Sequence, residues 1–439
     1  MEIRNSPSRL SPSDAAFFLQ TRFFFLVTLA VLFTTLCGWF RINTWCIVLL
    51  VGCRLAGGAR WANIRKAFSN KLFVAYCAFF VLDLIGQAFT PDQVTGWKVL
   101  SREATLVAIP FVLCAGDFAD GRSYQQLMSA YCLMLGIISM VCVGLAIPRY
   151  RSTGDIGEFF YHPLVSPISQ NAVFFTVFVL FGLLFLLTYD LRNVFPLNSP
   201  AMIRGLQVTL VCLFIFMVIQ LASKLFLVLM ALILGWFFFR KYHLTGKLRV
   251  LIAIMIPGII GIALLMLTNN PVKSRYSAVL HANIRMIGRE QFTPGDSFNG
   301  IQLRLLEYRF AYEILNEQRA WVRGTTSGYS QDLLNQKYVK ANMYLGSPGR
   351  KGRGFWDYNF HNQFVETLVR TGMIGLAVLL AIFWLQIDIV RRWRTGQAFF
   401  TILIFIAFFI PQSALTMQTG VFLFAFFPML LLYSPRAEK

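Results

Sequence analysis

The chain alternates between long apolar runs and polar breaks. The runs fall at about 23–40, 43–58, 72–90, 102–117, 126–147, 171–189, 205–221, 223–239, 248–268, 372–390, 398–413 and 415–434. Most approach the roughly 20 residues that carry an α-helix across a bilayer. One such run is ambiguous, but about a dozen predict an all-α polytopic membrane protein with about twelve transmembrane helices. The alternating short segments of a membrane β-barrel are absent from the sequence. Two runs are irregular: the second is short and ends near Arg54, and the fourth opens on Arg102 and Glu103. The first ends in Leu36-Cys37-Gly38-Trp39-Phe40-Arg41, without a small-x-small cleavage pattern, so it is expected to remain as the first span.

One polar break stands apart. Residues 269–371 are too long for a linker and predict substructure. Within them, 299–318 reads as an amphipathic helix, with Ile301, Leu305, Tyr308, Tyr312 and Leu315 recurring on one side. A second helix is expected over 330–343, and a third from near Asn359 into the tenth span. Gly346 to Gly354 is a glycine-rich basic stretch holding Arg350, Lys351 and Arg353. The organisation is therefore residues 1–268 with nine spans and an N-terminal tail, 269–371 as the loop domain, and 372–439 with three spans and a C-terminal tail. No internal repeat or low-complexity tail is evident.

Composition agrees with the pattern: 57% of residues are hydrophobic and 14% charged, against about half and one quarter in soluble domains. The formal charge of +20 would suggest nucleic acid in a soluble protein. Its distribution points instead to membrane topology, and no nucleic-acid partner is expected. Arg60, Arg65, Lys66 and Lys71 fall in one connection, Arg192 and Arg204 in another, Arg240, Lys241, Lys247 and Arg249 in a third, and Arg391, Arg392 and Arg394 in a fourth. These are alternate connections, as the positive-inside rule requires. Both termini are then expected in the cytoplasm and the 269–371 loop on the periplasmic side. The polar and aromatic connection 148–170, with Arg149 and Arg151, shares that side, as do the Ala222-Ser223-Lys224 turn and Pro411-Gln412-Ser413.

The eight cysteines, Cys37, Cys46, Cys53, Cys77, Cys114, Cys132, Cys142 and Cys212, all lie in or beside apolar runs. They read as small buried apolar groups. None lies in the loop, which therefore has neither a disulfide nor a thiolate metal site.

Three side chains carry candidate chemistry. Lys224 sits between two apolar runs with almost no loop to hold it. It is either a snorkelling surface marker or a cation facing an anionic lipid headgroup. Arg304, on the first loop helix near Glu307 and Arg309, is either half of an i,i+3 ion pair or a phosphate ligand, since the guanidinium fork grips phosphate oxygens bidentately. His361, in Asn359-Phe360-His361-Asn362-Gln363, is either an interfacial histidine among aromatics or a general base. Glu366 and Arg370 follow in i,i+4 ion-pair order. His243, in a basic loop, reads as bland; His162 and His281 are undecided. DxD, HExxH, GxSxG and P-loop motifs are absent. No metal site or cofactor is expected, so cations of the chain would have to serve a charged substrate.

His361-Asn362, nine residues, Gly372, two residues and Gly375 resemble the histidine motif of bacterial O-antigen ligases and related polymerases, which closes a large periplasmic loop and enters a late transmembrane helix. Arg304, with Tyr308, Ala311 and a turn containing Gly324, is similar to the family's arginine on the first loop helix. Ser223-Lys224 takes the place of the family's Thr/Ser-Arg between two spans, with lysine departing from the usual arginine. The resemblance covers the layout and, in detail, about 205–390. It implies a GT-C-like, inverting, metal-independent glycosyltransferase of the bacterial inner membrane. The implied donor is a glycan on undecaprenyl pyrophosphate and the implied acceptor lipid A–core. His361 would act as base, with Arg304 and Lys224 on the departing pyrophosphate. Asn362, Arg309, Arg350, Arg353, Arg149 and Arg151 are further candidate substrate-binding residues. An O-antigen polymerase or a protein O-oligosaccharyltransferase would use the same parts. A lipid-linked glycan transporter would need repeats and polar broken helices, and Asp83 is the one acidic group deep in a span.

Overall fold

The computed structural model describes residues 12–56, 60–115, 121–193, 199–221, 223–243, 284–293, 295–346, 354–393 and 395–433. Among these every regular element is helical. The α-helices are α1 (Pro12–Leu36), α2 (Phe40–Leu55), α3 (Arg60–Phe68), α4 (Lys71–Gln87), α5 (Gln93–Glu103), α6 (Thr105–Ala115), α7 (Gly121–Thr153), α8 (Tyr161–Val165), α9 (Ala172–Thr188), α10 (Pro200–Gln220), α11 (Lys224–Phe238), α12 (Gly300–Glu317), α13 (Ser330–Lys340), α14 (Gln363–Trp393), α15 (Gly396–Phe409) and α16 (Gln418–Tyr433).

Three helical stretches, Ser123–Thr153, Pro200–Gln220 and Gln363–Arg392, are long and apolar enough to cross a membrane. There are up to five if two bent pairs each count as one span: Phe40–Leu55 with Arg60–Phe68, bent by 110°, and Tyr161–Ile168 with Ala172–Thr188, bent by 82°. The chain is thus all-helical and suited to a bilayer. The expected twelve include shorter helices such as Gly396–Phe409, and a segment, 248–268, that lies outside the described residues.

The core follows from which helices are apolar all round. Every residue from Ala172 to Leu186 in α9 is buried, so α9 is central, packed by α7, α10, α11 and α15. In α10, by contrast, only one stripe is buried, formed by Ile203, Leu210, Phe214, Met217 and Val218. Its other side is exposed or half-buried. Polar side chains tie the interior: Tyr76 Oη donates to the Phe424 carbonyl at 2.7 Å and Gln386 Nε2 to Tyr76 Oη at 3.3 Å. Such bonds act as glue where no water competes.

Two expectations change. The fourth run is split: α5 is an amphipathic helix that hydropathy passes over, and α6 is only 11 residues with Pro110 inside it. The connection 148–170 is also mostly helical, since α7 continues to Thr153 and short turns fill Ile156–Phe159, Tyr161–Val165 and Ser166–Ile168.

The loop forms a second core of its own, with Phe292, Leu306, Phe310, Ile314, Leu334, Tyr338, Phe360 and, from α14, Val369. It docks on the bundle through backbone. The Thr325 and Thr326 amides donate to the Val369 and Arg370 carbonyls at 2.8 and 2.9 Å, and the Met373 amide to the Trp321 carbonyl at 2.8 Å. This requires a break in α14, supplied by Gly372 at φ 68°, ψ −167°. Gly324 faces it at φ 73°. A Cβ on Gly372 would overlap the Val322 carbonyl, and one on Gly324 the Arg370 carbonyl. Two backbones approach so closely that only glycine fits at these points.

Candidate functional site

The site is built where α12 crosses the start of α14. Asn299 opens α12 with a capping box: its side chain accepts from the Ile301 and Gln302 amides, and Gln302 Oε1 accepts from its backbone amide at 2.9 Å. The helix turns Leu303, Leu306, Glu307, Phe310, Ala311 and Ile314 inward. Of the stripe expected to be its apolar face, Leu315 is buried, Ile301, Leu305 and Tyr308 are half-buried and Tyr312 is exposed. A carboxylate, Glu307, lies inside the buried stripe.

Glu307 is fully buried, and both of its oxygens lie 3.0 Å from Nδ1 of His361. Tyr338 Oη donates to Oε1 of Glu307 at 3.2 Å. Burial raises the Glu307 pKa above the ordinary carboxylate value, and the hydrogen bonds from His361 and Tyr338 pull it only partly back. With Glu307 ionised, the proton of a neutral imidazole is assigned to Nδ1, leaving Nε2 as an acceptor.

His361 holds a left-handed backbone, φ 45°, uncommon for a non-glycine residue. Local bonds fix it. Asn359 Oδ1 accepts from the His361 amide at 3.0 Å, and the next residue, Asn362, caps α14 by accepting from the Phe364 and Val365 amides at 2.9 and 3.1 Å. Asn362 Nδ2 donates to Tyr308 Oη at 2.9 Å. The Tyr358 ring meets the His361 ring edge-on at 5.5 Å. The side chain stays 24% exposed, enough for a substrate atom to reach it.

Arg304 is one turn before Glu307 and Tyr308, on the same side of α12. It makes no ion pair with Glu307. Its Nη1 donates to the Gly300 carbonyl at 2.7 Å and its Nη2 to the Pro411 carbonyl at 3.3 Å, while Nε is buried without a partner. Pro411 belongs to the turn after α15. That turn is stitched into the site: the Leu415 amide donates to Gln363 Oε1 at 2.7 Å, Asn359 Nδ2 reaches Thr416 Oγ1 at 3.5 Å, and Arg102 donates to the Thr416 carbonyl. Lys224 opens α11 at the same end of the bundle, since Phe226 packs on Phe408 at 6.4 Å, three residues before Pro411.

The other candidate cations are placed elsewhere. Arg309 holds α12 to the preceding segment, with Nε on Glu313 at 2.7 Å and Nη1 on the Ile287 and Arg289 carbonyls at 2.8 and 2.5 Å. Arg149 pins the 154–163 connection through Glu158 and the Pro163 carbonyl, both at 2.8 Å. Arg151 is exposed. Arg350 and Arg353, with His281, lie outside the described residues. His162 accepts from the Ala172 amide through Nδ1 at 3.4 Å. Among the described residues no three His, Cys, Asp or Glu side chains converge as metal ligands do.

Arg370 does not bond Glu366. Its guanidinium lies between Asp83 at 3.0 Å and Glu103 at 2.5 Å, with Ser327 at 2.9 Å. All four are buried, and the cluster ties α14 to α4, α5 and the loop just below the site. Sequence reasoning missed this cluster, the Glu307–His361 pair, Tyr338 and Arg102. The available signals were an acidic residue, Asp83, inside an apolar run and the Arg102-Glu103 pair at the start of another. Neither a family model nor a curated protein matches the chain.

Proposed function

We propose that this chain is a glycosyltransferase of the bacterial inner membrane. It transfers a glycan from undecaprenyl pyrophosphate to lipid A–core, from a site facing the periplasm on a bundle of about twelve spans. The single observation that carries the reading is Nδ1 of His361 held 3.0 Å from both oxygens of the buried Glu307. That arrangement suits Nε2 to take a proton. The motif resemblance supplies the substrate class, and the half-buried Arg304, whose Nη1 bond to the Gly300 carbonyl lies at the surface, offers a positive charge to phosphate oxygens.

In this reading an acceptor hydroxyl gives its proton to Nε2 as its oxygen attacks the anomeric carbon from the face opposite the leaving group. The new glycosidic C–O bond forms as the bond from that carbon to the pyrophosphate oxygen breaks. The electron pair leaves on the pyrophosphate, and the anomeric centre is inverted. Arg304 stabilises the growing negative charge, and Lys224, at the same end of the bundle, adds a second positive charge. Glu307 stabilises the imidazolium that results. A polymerase or a protein O-oligosaccharyltransferase would differ only in the acceptor.

The test is transfer in vitro from a lipid-pyrophosphate glycan, offered lipid A–core and a second lipid-linked glycan as competing acceptors. Ligation to lipid A–core by the wild type and its loss in a folded His361→Ala protein are expected. Full ligation by His361→Ala would remove the histidine from the mechanism. Extension of the second donor alone would replace ligase by polymerase.

A further inference from the structure

A cavity of about 630 Å³ opens away from His361, on the flank where α4 meets α14 beneath the Gly324 turn. Its wall is apolar and faces outward: Ile85 and Phe89 at the end of α4, and Ile374 of α14, are all exposed. Arg323 stands on its rim, exposed, with no ion pair among the described residues. Its floor is polar and incompletely bonded. Asp83 Oδ1 accepts from Arg370 and Ser327, and its carboxyl faces that of Glu103, while the buried hydroxyl oxygen of Thr326 has no partner among the described residues. A buried polar atom without a partner costs free energy of order 1–3 kcal/mol, so the Thr326 hydroxyl points to a group that would complete it.

The depth of the cavity narrows the choice of ligand. Its α14 side begins at Arg370, roughly 10 Å along the helix axis from Gln363, where α14 starts two residues after His361, at 1.5 Å per residue. It ends at Ile374, where the uninterrupted apolar stretch after Gly372 starts. In a spanning helix this is the level at which headgroups meet acyl chains. Exposed apolar side chains below, a cation at the rim and hydrogen-bonding groups between them match an amphiphile better than a free anion, which has nothing to place against Ile85, Phe89 and Ile374.

We propose that this cleft binds a phosphate-bearing, hydroxyl-rich lipid of the surrounding bilayer. The chains lie against Ile85, Phe89 and Ile374, the phosphate meets Arg323, and a headgroup hydroxyl bonds the Thr326 hydroxyl. The site is distinct from the His361 centre and does not depend on the reaction assigned there.

The test uses the full chain and native mass spectrometry after exchange into phosphatidylglycerol or phosphatidylcholine, which share a phosphate but differ in hydroxyls and net charge. Wild type should retain phosphatidylglycerol about tenfold better. Arg323→Gln, an exposed change that leaves the fold intact, should lose about tenfold in that retention, the value of one charge-assisted hydrogen bond. Gly86→Leu should displace the lipid, because a Cβ at Gly86 meets only the Thr326 side chain, at 3.9 Å, and a longer side chain enters the cleft. His361→Ala should retain lipid as wild type does. Equal retention of both lipids, unchanged retention in Arg323→Gln, or loss of the lipid in His361→Ala would each overturn the proposal. None of these outcomes bears on the transferase reading.

Discussion

Glu307 holds both carboxylate oxygens 3.0 Å from Nδ1 of His361 while itself fully buried. The pair trades stability for function. Its pKa is raised in the fold, mainly by burial, so an ionised Glu307 is held at a cost relative to its protonated form. Glu307→Gln removes that charge and keeps the shape. At neutral pH the variant should melt at a higher temperature than wild type and yet transfer more slowly. The rate loss should fall within the 10²–10⁴-fold that a positioned base contributes. Thermal melts and turnover on one preparation check both halves; a less stable Glu307→Gln would mean that the His361 bond outweighs burial.

The same shift sets a pH dependence. Stability from a carboxyl whose folded pKa is raised is present below that pKa and is lost as pH rises through the interval from the unfolded to the folded value. Activity runs the opposite way, since the ionised form orients His361. The acid limb of the rate should therefore lie above the ordinary range for glutamate. Tyr338→Phe removes a donor to the carboxylate and should move that limb to still higher pH. A limb that stays in place in Tyr338→Phe would detach it from Glu307.

Gly372 and Gly324 are where the loop meets the bundle. Gly372→Ala places a Cβ into the Val322 carbonyl at a positive φ. Forced overlap in a packed site costs about 1–3 kcal/mol, and the strained backbone adds to it. We expect a lower melting temperature and loss of transfer, because the break also aims the start of α14. An unaffected Gly372→Ala would show that the loop docks otherwise.

His361, Arg304 and the glycines stand out in the sequence because they occur at fixed spacing, and the structure places Gly372 and Gly324 where two backbones meet. The helix expected from periodicity over 299–318 is α12, and the one expected over 330–343 is α13, each within three residues of its ends. Glu307 does not stand out. It sits on a helix with two interleaved stripes, one through Tyr308 and Tyr312 and one through Leu303, Leu306 and Phe310. Periodicity alone does not say which turns inward, so Glu307 read as a surface partner of Arg304. Arg370 failed for a different reason. Its i,i+4 neighbour Glu366 is local, but Asp83 and Glu103 are 287 and 267 residues away. Only the packing of α14 on α4 and beside α5 brings them together.

That charge cluster should behave as a buried network. Arg370→Met leaves Asp83 and Glu103 without the guanidinium that lies between them, and breaking such a pair costs about 3–5 kcal/mol. The triple variant Arg370→Met, Asp83→Asn, Glu103→Gln removes the charges together and should recover most of the lost stability. Chemical denaturation of the wild type, Arg370→Met and the triple variant in one detergent decides it. A triple variant no better than Arg370→Met would mean that the cluster acts by shape and hydrogen bonding instead of charge.

Arg304 separates binding from catalysis. Two of its nitrogens face the Gly300 and Pro411 carbonyls, and its buried Nε has no partner. A pyrophosphate in this position gains most as its bridging oxygen takes up charge in the transition state. Arg304→Gln should therefore lower kcat by roughly a hundred-fold or more while moving KM for the lipid donor little. Arg304→Lys keeps a positive charge but loses the planar fork, so it should fall between the two. A rise in KM at constant kcat would make Arg304 a donor anchor that contributes equally to ground and transition states. An unchanged kcat/KM in Arg304→Gln would take it out of the site altogether and leave Lys224 and Arg102 as the cations to test next.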